Sequence, residues 1–179
     1  MSSAALFGGS FDPPHIGHMK IVERLKELSY IDEIIIMPTY LNPFKKSFHA
    51  APEKRLEWLQ RIFENDPKVT ISDFEVRQRK RVPTILSVEE LHKRFDRVYV
   101  VIGADNLESL HEWHRFEELE KRARFIVFSR NGKKVKDTEF IHLELDIPVS
   151  SSALRKEMDK KLLPSLMAEE IYNYYKEKS

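Results

Sequence analysis

Short apolar runs alternate along this chain with longer stretches in which apolar residues recur every three or four positions. The runs at 4–8, 32–37, 69–71, 97–102 and 124–128 predict β-strands, with a weaker one at 140–145. Met19, Ile21, Val22, Leu25 and Leu28 share one face of a helix predicted over 15–29. Similar spacing predicts helices at 52–64, 84–94, 105–110, 115–122, 151–161 and 165–177. The triplets Ile34-Ile35-Ile36 and Val100-Val101-Ile102 do not alternate with polar residues. Such strands are buried on both faces, as in a parallel sheet between two helix layers. Strand, helix and strand at this spacing make βαβ units with right-handed crossovers. The predicted fold is therefore α/β, a doubly wound parallel sheet with helices on both faces. Ligands of such sheets sit at the carboxyl ends of the strands, near the point where strand order reverses.

Composition narrows the function classes more than the fold. With 30 Lys and Arg against 29 Asp and Glu, the net charge is +1. That leaves no broad basic field for nucleic acid or a membrane surface. There is no cysteine, which removes disulfides, thiolate zinc sites and thiol catalysis. The N-terminus does not read as a signal peptide, and no apolar run approaches the ~20 residues of a membrane span. The expectation is a soluble, cytoplasmic chain with a single domain over 1–179, whose last part, about 150–179, is helical. Neither nucleic acid nor membrane is expected as a partner, and a homo-oligomer stays open.

The richest segment is Gly8-Gly9-Ser10-Phe11-Asp12-Pro13-Pro14-His15-Ile16-Gly17-His18. It leaves the first strand and feeds the first helix. A glycine turn lets backbone approach a phosphate closely, and a helix start offers unpaired N–H groups at a positive dipole end. His15 and His18, three apart, share a face of that first turn. Asp12 before Pro13 also suits a turn cap. A second segment, Val149-Ser150-Ser151-Ser152-Ala153-Leu154-Arg155, combines a helix N-cap with hydroxyls and a forked cation, a second anion site. A third, Gly103-Ala104-Asp105, ends a strand; Asp105 either accepts from ribose hydroxyls or caps the next helix. Trp113 beyond it reads as a core aromatic, the commoner fate of tryptophan. His111 and His114 flank it without a third metal-ligating partner. Lys45 lies in the loop after the second strand, where functional residues gather. Arg77-Gln78-Arg79-Lys80-Arg81 reads as an exposed loop, and Tyr172, Tyr174 and Tyr175 as packing a last helix onto the sheet.

The segment Gly8–His18 resembles the signature of bacterial nicotinate-mononucleotide adenylyltransferases, of the nucleotidyltransferase superfamily with the His-x-Gly-His motif. Class I aminoacyl-tRNA synthetases share only the shorter His15-Ile16-Gly17-His18 element. Residues 149–155 are similar to the family's Ile-Ser-Ser-Thr-x-x-Arg, with Val149 and Ser152 in place of Ile and Thr. The resemblance implies a Rossmann-like fold and transfer of AMP from MgATP to nicotinate mononucleotide. It implies ATP contacts from Gly8, Gly9, Ser10, Phe11, His15, His18, Gly103, Asp105, Ser150, Ser151, Ser152 and Arg155. Among these, His15, His18 and Arg155 would be catalytic. It implies mononucleotide contacts from Lys45, Thr84, Trp113 and Arg130. Three segments depart from the family pattern. Asn42 and Phe44 replace Pro and His before Lys45. Pro83 and Leu86 replace Tyr and Asp around Thr84. Ser129-Arg130-Asn131-Gly132 stands where the family has Arg-Pro-Gly, and Arg130 there either holds the mononucleotide phosphate or lies in an exposed turn.

Such a reaction is an in-line attack by the mononucleotide phosphate, already anionic near neutrality with a second pKa of about 6. It needs positioning and charge stabilisation rather than a strong base. The sequence shows no carboxylate cage, so Mg²⁺ is expected to arrive on ATP, with no metal site of the protein's own. Other readings stay open. Nicotinamide mononucleotide or phosphopantetheine could be the acceptor, although the enzymes for the latter usually carry Thr where His15 stands. A non-catalytic nucleotide sensor and a tRNA synthetase fragment are further alternatives; the chain has no Lys-Met-Ser-Lys-Ser-like loop.

Overall fold

The structure is a computed structural model that describes residues 1–41, 47–130, 140–147 and 149–178. Six parallel strands form one sheet in the order β3-β2-β1-β4-β5-β6. They are β1 (Ser3–Gly9), β2 (Glu33–Pro38), β3 (Val69–Ile71), β4 (Arg97–Gly103), β5 (Arg124–Arg130) and β6 (Ile141–Leu145). Each predicted strand is present, within one or two residues at either end. The non-alternating triplets lie in the central strands, as their double burial requires.

Alternate residues of the strands feed two separate cores. Ala5, Phe7, Ile34 and Ile36 join one cluster, and Ala4, Leu6, Ile35 and Met37 join the other. The first core is closed by α1 (Ile16–Lys26), α2 (Pro52–Ile62), α6 (Ser151–Lys156) and α7 (Ala168–Lys178). The second is closed mainly by α4 (Thr84–Leu91) and α5 (Phe116–Arg122). Strand order reverses between β1 and β4, so a crevice opens at the carboxyl ends of those two strands. No helix among the described residues is long and apolar enough to cross a membrane.

Two helical expectations need correction, and one short helix is additional. Residues 105–110 do not form an α-helix. Two single 3₁₀ turns, Ala104–Asn106 and Leu110–Glu112, stand there instead, joined by a turn at 107–109. Asn106 and Ser109 are weak helix formers, and Ser109 Oγ bonds to the Asn106 carbonyl at 3.3 Å. The helix expected over 151–161 stops at Lys156, because Glu157 turns extended and Asp159 caps a separate 3₁₀ turn through the Lys161 N–H. A short helix, α3 (Phe74–Arg77), precedes the basic run and was not foreseen. Arg77 ends that helix, while residues 77–81 are exposed as expected. Tyr175 is buried and Tyr174 stands edge-on to Trp58 of α2, so the last helix packs as anticipated.

Candidate active site

The opening turn places two imidazoles face to face. His15 is the N-cap of α1, and its Nδ1 accepts from the Gly17 N–H at 3.0 Å. Three residues on, His18 Nδ1 accepts from the His15 N–H, also at 3.0 Å. This is a capping box built from two histidines rather than from Ser and Glu. An Nδ1 that accepts cannot carry the proton, so each neutral ring carries it on Nε2. Each ring therefore carries its N–H donor on Nε2, and His15, at 2% exposure, carries it inside the fold. They are stacked with centroids 3.7 Å apart and planes 22° apart. Phe11 sits beside them, its ring 4.6 Å from that of His18. Its backbone has φ 50°, the left-handed region that costs a bulky residue energy. Phe11 is 1% exposed, so its side chain supports His18 and only its backbone can meet a nucleotide.

The second anion segment meets the first. Ser151 Oγ donates to the Pro13 carbonyl at 2.8 Å, and Arg155 Nη1 donates to the Asp12 carbonyl at 2.6 Å. Arg155 Nη2 also reaches Ser152 Oγ at 3.4 Å. The start of α6 is thus tied to the two residues of the cis Asp12–Pro13 bond, just ahead of His15. Ser150 uses its side-chain oxygen to cap α6, accepting from the Ala153 N–H at 3.1 Å.

Two buried side chains hold this loop: Asp12, which the sequence offered as a turn cap, and Arg55, which it did not single out. The Asp12 carboxylate accepts from the His49 and Ala50 N–H groups at 2.8 and 2.9 Å, and from the Tyr175 hydroxyl. Burial, and the Asp12 carboxylate beside it, push the Tyr175 phenol well above its ordinary value. Arg55 of α2 is 1% exposed. Its guanidinium donates to the carbonyls of Ala50, Ser10, Thr39 and Tyr40 at 3.0, 2.6, 2.8 and 3.0 Å. One cation therefore joins the glycine turn to the loop after β2. Burial lowers its pKa, opposed by the Asp12 charge.

On the other side of β1 the crevice continues between Gly8, Gly9, Thr39, Glu75, Thr84, Asn106 and Trp113. Thr84 is the first residue of α4, where Pro83 supplies no side-chain cap. Trp113 is half-buried, and among the described residues neither its Nε1 nor Thr39 Oγ1 has a hydrogen-bond partner. Both atoms belong to residues that line this one crevice. Trp113 also packs against the second core, the core placement that the sequence offered for it. Gly103 is the N-cap of the first 3₁₀ turn, and Asp105 lies within that turn. Of the remaining candidates, Arg130 ends β5 opposite Leu145, and Lys45 lies outside the described residues.

The chain is similar to known proteins along almost its whole length. The cytidylyltransferase-like family profile matches residues 6–157. A protein of Sulfurimonas denitrificans, named "Probable nicotinate-nucleotide adenylyltransferase", is 48% identical over 99% of this chain and 97% of its own. A namesake from Nitratiruptor is 45% identical over 96% and 98%. The chain belongs to the cytidylyltransferase-like family. Among solved structures, a Plasmodium falciparum nicotinic acid mononucleotide adenylyltransferase complexed with NaAD superposes with TM-score 0.79. It is 25% identical and matches 98% of both chains.

In this cytidylyltransferase-like chain the glycine between the two histidines is sterically required. A Cβ at Gly17 would stand 2.6 Å from Ile147 Cγ2 and 2.7 Å from His15 Cε1. The ring atom it strikes adjoins the Nε2 donor. Gly17→Ala is expected to destabilise by about 1–3 kcal/mol through overpacking and to lower kcat at least tenfold. Unfolding midpoints and initial rates check this; a variant within twofold of wild type would mean that the ring moves without cost to activity.

Proposed function

We propose that the chain transfers AMP from MgATP to nicotinate mononucleotide, releasing pyrophosphate and forming the deamido dinucleotide of NAD biosynthesis. The observation that carries this reading is the junction of the paired histidines with Ser151 and Arg155 at residues 12–13. It brings two imidazole N–H donors and one guanidinium to a single loop, as a triphosphate requires. Its relatives' names supply the acceptor.

In this reading the mononucleotide phosphate attacks the α-phosphorus in line, the bond to the β-phosphate oxygen breaks, and pyrophosphate leaves. The Nε2–H groups of His15 and His18 donate to α-phosphate oxygens as charge grows there. Ser151, Ser152 and Arg155 hold the leaving group, and Gly8 to Phe11 line the nucleotide with their backbone. Gly103 and Asp105 serve the adenosine. Thr84 and Trp113 take the pyridine side, with Arg130 and Lys45 on the mononucleotide. Mg²⁺ enters on the triphosphate as part of that substrate.

The deciding assay offers MgATP with nicotinate mononucleotide, nicotinamide mononucleotide or phosphopantetheine and follows pyrophosphate. Release is expected with the first; release with none would overturn the proposal. Trp113→Ala is expected to raise KM for the mononucleotide roughly two- to tenfold, the worth of one aromatic stack, and to leave KM for ATP nearly unchanged. An equal rise in both, or a collapse in thermal stability, would assign Trp113 to the core instead.

A further inference from the structure

One acidic group in the crevice has no part in phosphate chemistry. Glu75 belongs to α3 and is only 7% exposed, yet it lines the same crevice as Thr84 and Trp113. Ser87 Oγ, itself fully buried in α4, donates to Glu75 Oε2 at 2.9 Å. The other carboxyl oxygen takes no hydrogen bond among the described residues. No charged side chain among the described residues acts on this carboxyl. On α3, Arg77 is turned to Asp73; on α4, Glu89 is paired with Arg115 and Glu90 with Lys93. Gly8 and Gly9 of β1, Thr39 after β2, Val100 to Ile102 of β4, and Asn106 contribute no charge to the lining. Trp113 Nε1 and Thr39 Oγ1, without a hydrogen-bond partner among the described residues, belong to the lining of the same crevice.

We propose that Glu75 is a specificity-determining residue, whose clamped carboxyl reads whether the pyridine ring carries an acid or an amide. The inference rests on the pyridine-mononucleotide reading of this crevice. A neutral carboxyl offers its O–H to a ring carboxylate. An ionised one repels that carboxylate and accepts instead from a carboxamide N–H. Burial raises the Glu75 pKa to about 7, partly offset by the Ser87 hydrogen bond, so both forms are accessible near neutrality. Because the folded value lies above the unfolded one, the same group favours folding at low pH, and that contribution is lost as pH rises toward about 7.

The test compares kcat/KM for nicotinate and nicotinamide mononucleotide from about pH 6 to about 8.5, in wild type and Glu75→Gln. The mononucleotide phosphate titrates in both substrates and cancels from their ratio. In wild type the acid-to-amide ratio is expected to fall at least tenfold over this range. In Glu75→Gln, whose amide donates at every pH, the ratio is expected to stay flat. A Gln variant that tracks wild type overturns the proposal. Ser87→Ala supplies an independent reading, since loss of its hydrogen bond raises the Glu75 pKa and moves the fall to higher pH. A fall that stays in place in that variant also overturns it. If neither mononucleotide is turned over, the adenylyl-transfer reading fails. Calorimetric binding of the two mononucleotides then decides Glu75 by the same ratio, and absence of binding by both overturns it.

Discussion

Replacing His18 with alanine is expected to lower kcat by about 10²–10³-fold, the usual loss for one preorganised donor at a developing charge. In the proposed reaction the His18 Nε2–H meets α-phosphate oxygens whose charge rises as the new bond forms. That interaction is stronger in the transition state than in the ground state, so kcat and kcat/KM fall together and KM for ATP changes little. The side chain also closes the capping box by accepting from the His15 N–H, which adds a stability cost of about 0.5–2 kcal/mol. That cost is too small to unfold a domain with about 5–15 kcal/mol in hand. Steady-state kinetics beside a thermal melt separates the two effects. A fully active, folded His18→Ala enzyme would remove His18 from the chemistry.

The donor pair was legible in the sequence because it is local. A glycine turn, two prolines and two histidines three apart fix a strand exit and a helix entry with no help from distant residues. The strands were legible for a similar reason: runs such as Ile34 to Met37 have no polar alternative to burial. Glu75 and Arg55 were not legible. Glu75 lies in a helix of four residues, too short to show a period, beside a run of five polar residues that reads as solvated loop. Arg55 occupies an amphipathic helix whose charged positions face water by default. Here that face meets the loops at 10, 39–40 and 50, whose carbonyls supply the acceptors. Such pairings depend on residues up to 45 apart in sequence, and no spacing rule reports them. The histidine tautomers also needed coordinates, since either ring nitrogen could have accepted the backbone proton.

Arg55→Met is expected to destabilise the protein by at least about 3 kcal/mol, although the residue touches no substrate. Methionine fills most of the volume but leaves four carbonyls, on Ser10, Thr39, Tyr40 and Ala50, without this donor. Each buried group that loses its partner costs roughly 1–3 kcal/mol, moderated where water can enter. The neighbouring Asp12 carboxylate, 3% exposed, loses a compensating cation as well. For a chain of this length the expected loss is about 6–12 °C in Tm. Arg79 provides the contrast. It forms an ion pair with Glu53, but its side chain is 66% exposed, so Arg79→Met is expected to cost less than about 1 kcal/mol. Urea unfolding of the two variants side by side measures the difference. If Arg55→Met matched Arg79→Met, the four carbonyls would have to be satisfied by other means, and the buried cation would not be what joins the glycine turn to the loop after β2. If the larger loss is found, activity should fall with it. The Ser10 carbonyl that Arg55 holds lies in the turn that presents His15 and His18, so the cation that stabilises the fold also sets where the two donors point.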